Sequence, residues 1–153
     1  MAGIHNLKGE KPVAENNQVR WGWLKFMYIY TIVVSGGFGM GMIFFPEVTK
    51  SVFAWPVNEP IVFGIVGSVY VVFGLMSILG LRSPLKFVPI LLLQFCYKVI
   101  WFVGVVLPLL VSGRFPNYAI PMAVLFTTFI VGDLMAIPFP YVFAKQPGQP
   151  AQP

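Results

Sequence analysis

PILLLQFCYKVIWFVGVVLPLLV, residues 89–111, decides what kind of molecule this is. The run is predominantly apolar and long enough for the ~20 residues with which an α-helix crosses ~30 Å of hydrocarbon. One charge, Lys98, stands near its middle. A charge at that depth costs roughly 2.5–3.5 kcal/mol on insertion scales, so it needs a partner or a purpose. Three similar runs, about 21–45, 60–79 and 118–137, complete a set of four. The last of them carries an acid at depth, Asp133, opposite in sign to Lys98.

Composition agrees with that reading. The 153-residue chain is 58% hydrophobic and only 10% charged, against about 25% charged residues in an ordinary soluble domain. Strands of a transmembrane barrel would alternate in polarity and be about half as long. The expectation is therefore an all-α integral membrane four-helix bundle over residues 21–142. A flexible polar arm at 1–20 precedes it, and a disordered Pro/Gln-rich tail at 143–153 follows.

The net charge of +5 does not indicate nucleic acid, because the basic residues form no single patch. They read as topology signals. Lys8, Lys11, Arg20, Lys25, Arg82, Lys86 and Lys145 fall on one side of the spans, Lys50 and Arg114 on the other. The excess of Lys and Arg on the inner side places both termini in the cytoplasm and the chain, multi-pass, in an inner (cytoplasmic) membrane. The first span is too long for the apolar core of a signal peptide and is expected to stay as a helix. Cys96 is the only cysteine and His5 the only histidine. That excludes an intrachain disulfide, a bis-histidine haem and a zinc site built on His and Cys.

Trp21 and Trp23 mark the inner interface, where indole rings sit among headgroups. Span one holds Ser35-Gly-Gly-Phe-Gly39-Met-Gly41. The pairs Ser35/Gly39 and Gly37/Gly41 remove bulk at one-turn spacing and let another backbone approach, within the chain or in a homo-oligomer. Residues 48–55 are either a short helix lying flat at the outer interface or a loop anchored by Trp55. Asn58 can cap span two, Pro60 suits its first position, and Gly80 suits the residue beyond its end. Gly67, Tyr70, Gly74 and Ser77 share one face of that span. A tight turn at Leu81-Arg82-Ser83 makes spans two and three antiparallel neighbours. Pro108 deprives the carbonyl of Gly104 of its usual donor and is expected to kink span three.

Along span three, Gln94, Tyr97, Lys98 and Trp101 fall on one side. Lys98 stands about nine residues above the inner end of its span and Asp133 about four above the end of its own, a depth difference of roughly 7 Å. A lysine stem covers much of that, and Gln94, one turn below Lys98, can bridge the rest. Three readings compete. The first is a structural salt bridge completed by Gln94 and Tyr97. The second is a proton or ion relay, since removal from water disfavours the charged form of any ionisable group. The third is a ligand site in which Lys98 holds an anionic or carbonyl head while Tyr97 and Trp101 contact an apolar body such as a quinone or lipid. Trp101 is either a packed core residue or a cation–π partner of Lys98. The residues imply no cofactor of their own, and no Ser/His/Asp set, phosphate-cradling loop or acidic metal cluster is visible.

Gly67 and Gly74 in span two, Gly80-Leu-Arg-Ser-Pro84 in the turn, Tyr97-Lys-Val-Ile-Trp101 in span three and Gly132-Asp133 in span four together resemble the DoxX-like group of small bacterial four-helix membrane proteins, over about residues 20–142. That resemblance implies the same fold and topology. Some members are linked to quinone-dependent sulfur oxidation, but none of their catalytic residues maps onto this chain. The leading expectation is a non-enzymatic accessory or assembly subunit of a membrane complex. A quinone- or lipid-binding redox partner comes next, and a small transporter or proton-conducting unit using Lys98 and Asp133 third.

Overall fold

A computed structural model describes residues 19–56 and 59–143. Most of the expected polar arm, His5, Asn58 and the expected tail from residue 144 onward lie outside the described residues. Within them the chain is all-helical, with no strand.

Four helices are long and apolar enough to cross a membrane: α1 (Trp21–Phe44), α3 (Pro60–Arg82), α4 (Val88–Val111) and α5 (Asn117–Ala136). Two short ones, α2 (Pro46–Val52) and α6 (Phe139–Phe143), follow α1 and α5. Elementary signals set the ends. Glu59 caps α3, its carboxylate accepting from the backbone N–H groups of Ile61 and Val62 at 3.3 and 2.6 Å. Pro60 follows at the first position, whose missing N–H would have had no helical partner anyway. Ile137 is extended because Pro138 comes next, and α5 stops there. Gly113 ends α4 with φ of +65°, so that the Arg114 N–H reaches back to the carbonyl of Leu109.

Residues 46–52 resolve the choice between helix and loop in favour of helix, with Trp55 packed edge-on against Phe63 at 5.6 Å. Gly80 departs from expectation. It lies inside α3, which runs on to Arg82, and its missing side chain makes room for the ring of Tyr28. The Tyr28 hydroxyl then donates to the carbonyl of Pro84 at 2.7 Å, tying α1 to the turn after α3.

The long helices run alternately up and down, as their paired residues show. On α1, Tyr28, Gly36 and Gly39 meet Gly80, Gly74 and Gly67 of α3 in reverse order. Met27 and Tyr30 meet Gly132 and Thr128 of α5, and Gln94 and Trp101 of α4 meet Asp133 and Phe126. Neighbours around the bundle are α1, α3, α4 and α5 in that order. The α1–α3 contact is close because it is backbone on backbone. A Cβ on Gly39 would lie 2.6 Å from the Gly67 carbonyl oxygen and 2.7 Å from the Val71 nitrogen. Gly41 faces Thr49 of α2 and Ser35 is buried, whereas Gly37 meets nothing within 4 Å.

Two helices depart from regular winding. Thr31–Gly36 in α1 and Phe102–Val106 in α4 widen to π-helical turns. The second ends two residues before Pro108, which has no N–H to offer the Gly104 carbonyl, so the expected disturbance by this proline coincides with a local widening of the helix.

The buried side chains form two apolar clusters. One, at the end where the described chain begins, includes Leu24, Tyr28, Leu91 and Phe129. The other, at the opposite end, includes Met42, Phe63, Tyr70, Phe73 and Phe126. A polar layer lies between them. Elsewhere the spans turn apolar side chains outward, as hydrocarbon surroundings allow and water does not.

Candidate functional site

Each long helix contributes a fully buried polar side chain to that layer: Thr31 from α1, Ser77 from α3, Gln94 and Lys98 from α4, and Asp133 from α5. Gln94 organises it. Its amide nitrogen donates to the Asp133 carboxylate at 3.2 Å and to the Thr31 hydroxyl oxygen at 3.2 Å. The Thr31 hydroxyl in turn donates to the carbonyl of Met27 at 2.8 Å. The π-helical turn begins at Thr31, so the irregular stretch of α1 lies against this network. Such turns often accompany sites.

Among the described residues no ion pair joins Lys98 to Asp133. The bridging role expected of Gln94 is taken up on the Asp133 side alone. The Lys98 ammonium instead sits over three aromatic faces, Phe129 at 4.2 Å, Tyr97 at 4.5 Å and Phe126 at 5.3 Å. The negative faces of such rings attract a cation by up to about 2 kcal/mol or more when water is absent. Trp101 is not in this cage. A helical side chain leans toward the N-terminus of its helix, which carries Lys98 away from Trp101 and toward Phe129. Trp101 packs edge-on against Phe126 at 5.1 Å and Phe102 at 5.2 Å.

Beyond the cage opens a cavity of about 690 Å³ in the half of the bundle that holds Phe126 and Met42. Its walls are almost wholly apolar and aromatic, with Phe38, Tyr70, Tyr97, Trp101, Met122 and Phe126 among them. Ile65 and Val69 of α3 and Leu93 of α4 also line it and are themselves outward-facing, so the mouth opens sideways between those helices. Tyr97 and Phe126 belong both to the cavity wall and to the cage. The ammonium therefore lies one ring behind the wall.

Four buried polar atoms make no hydrogen bond within the described residues: Ser77 Oγ, Gln94 Oε1, Tyr97 OH and Lys98 Nζ. The Tyr97 hydroxyl lies near that of Tyr70 without closing a regular hydrogen bond to it. Buried polar groups are nearly always satisfied, and the exceptions call for an explanation.

Sequence reasoning singled out Lys98, Asp133, Gln94, Tyr97 and Trp101, and the first three stand together in the layer. It passed over Thr31, Phe126 and Phe129, which complete the network and the cage. A phenylalanine in an apolar span has no contrast with its neighbours, so no local signal marks those two.

The fold and layer define the class: a helical bundle of four membrane-competent spans around a polar interior. Compared with known protein families, curated proteins and solved structures, the chain matches none.

Proposed function

We propose that this chain is a multi-pass protein of a bacterial-type inner membrane that holds a lipophilic ligand, a quinone or a lipid, in the cavity that the four long helices line. The observation that carries this reading is the cavity itself: about 690 Å³, lined by aromatic and aliphatic side chains. Ligand sites of roughly 300–1,000 Å³ with apolar walls and few polar groups are the usual form of a small-molecule pocket. A mouth between helices suits a ligand arriving from the bilayer. The DoxX-like resemblance and a topology with both termini in the cytoplasm belong to the same proposal. The basic residues Arg20, Lys25, Arg82 and Lys86, at the same ends of their helices, support that orientation. A ligand-bearing chain of this size also suits the role of accessory subunit in a larger membrane complex.

The test is extraction. Protein purified in mild detergent is expected to carry a lipophile in near-equal amount, identified by mass spectrometry of the organic extract. Met122→Trp, which fills the cavity, is expected to lose it while staying folded. A folded protein that carries nothing above the level found for Met122→Trp overturns the reading. Co-purification of other membrane chains in the same preparation tests the subunit role.

A further inference from the structure

Resting on the cavity as a ligand site, we infer that it takes the hydrocarbon chain of a membrane lipid and leaves the polar head at the rim next to α2. A quinone, too, would enter by its chain and keep its ring outside.

No charged, amide or small hydroxyl side chain borders the cavity, and Lys98 and Asp133 take no part in its wall. The polar side-chain atoms of the lining belong to two tryptophans and three tyrosines. Two of these five, Trp55 and Tyr118, stand at the end of the bundle where α2 and the α4–α5 connection lie, and both are exposed. The other three lie deeper. The Tyr97 hydroxyl is a fully buried atom and does not face the open space, and the Tyr70 hydroxyl lies near it. Trp101 adds a single N–H and no acceptor. A carbonyl or phosphate brought to this depth would give up its hydrogen bonds to water and find almost none in return, which is costly. A hydrocarbon chain gives up nothing.

Shape agrees with chemistry. Leu93, Tyr97, Trp101, Val105 and Leu109 line the cavity at four-residue steps, so one face of α4 borders it over about 24 Å. Such a space, open toward the bilayer between α3 and α4, is a slot for a chain lying along the helices. Trp55 and Tyr118 rim it at one end, and these residue types sit well among head groups. The Tyr97 and Phe126 end has no such rim, so the chain tip belongs there and the head at the other.

Phe73 and Phe126 report the result. Both line the cavity and both are buried, at 5% and 6% exposed, so the surrounding bilayer does not reach them. Two phosphatidylcholines carrying a photoreactive diazirine, one at the chain tip and one on the head, are each added at low fraction to nanodiscs holding the whole protein. A third probe is a benzoquinone with the diazirine on its ring and no chain. Adducts are mapped by mass spectrometry. The tip probe is expected to label Phe73 or Phe126, and Met122→Trp to abolish that labelling. The head probe is expected to label Trp55 or Tyr118. At the two phenylalanines it and the ring probe are expected to give less than roughly a tenth of the tip probe's adducts. Labelling there by the head or ring probe at the level of the tip probe overturns the inference and leaves the ligand reading standing. Tip labelling unchanged in folded Met122→Trp also overturns it, because the chain then lies elsewhere. If Met122→Trp does not fold, the three probes in the unchanged protein decide alone. No adduct of any probe at either phenylalanine overturns the ligand reading itself.

Discussion

Lys98 and Asp133 occupy one polar layer, yet each is held by different partners. The carboxylate takes its hydrogen bonds from Gln94, and the ammonium rests on Phe129, Tyr97 and Phe126. The consequence is asymmetric. Two groups in direct contact can often be exchanged, since the pair is the same read either way. Here an aspartate at position 98 would face the negative faces of three rings. A lysine at 133 would face the donating side of Gln94. The exchange Lys98→Asp with Asp133→Lys is therefore expected to recover less than about 1 kcal/mol of what the single changes lose. Thermal unfolding of the four proteins in detergent measures it, and substantial recovery would mean that the charges do touch. The sequence drew attention to both residues because a charge stands out in an apolar run. It did not reveal the cage, because the direction of the Lys98 stem depends on where α5 packs.

At the scale of the helix, small residues divide by what faces them. Gly39 and Gly74 sit where α1 and α3 touch backbone to backbone, while Gly37, in the same glycine cluster, faces open space. Gly39→Ala is expected to cost about 1–3 kcal/mol because neither contacting backbone atom can step aside. Gly37→Ala is expected to stay within about 0.5 kcal/mol of the unchanged protein. Unfolding in detergent distinguishes them, and equal costs would refute the register of α1 on α3. The end of α2 supplies a second case. Ala54 has φ of +50°, and the chain beyond it folds back so that Trp55 donates to the Lys50 carbonyl at 2.9 Å. An L-residue with a Cβ is disfavoured there by roughly 1–2 kcal/mol, and glycine is not. Ala54→Gly is expected to raise stability by about 1 kcal/mol, a gain that the same melting curves would show. Small-residue spacing was legible in the sequence, but which glycine of the cluster meets a neighbour was not. Spacing gives the face of a helix and not the rotation that turns it toward a partner.

For the molecule as a whole, four spans require the first and last helix ends to lie on one side of the membrane. The basic residues argue for the cytoplasmic side. With Cys96 replaced by serine, a cysteine at Ser83, in the α3–α4 turn, is expected to react with an impermeant thiol reagent only from the cytoplasmic face. One at Ser112, just past α4, is expected to react only from the other. The opposite pattern would invert the topology. That orientation would place the Lys86 end of α4 toward the cytoplasm and the cavity in the outer half, its mouth within the bilayer.

The four spans, their limits to within a few residues and the two charges inside them were all present in the order of the amino acids. Each of these follows from a sum over neighbouring residues: the transfer of apolar side chains out of water, the fixed rise of a helix, the cost of one ionised group. The cavity, the aromatic cage and the division of partners between Lys98 and Asp133 were decided only when the helices packed. They depend on the rotation and register of four rods against one another. Those are set by contacts between residues far apart in the chain, such as Gly39 with Gly67 and Tyr28 with Gly80.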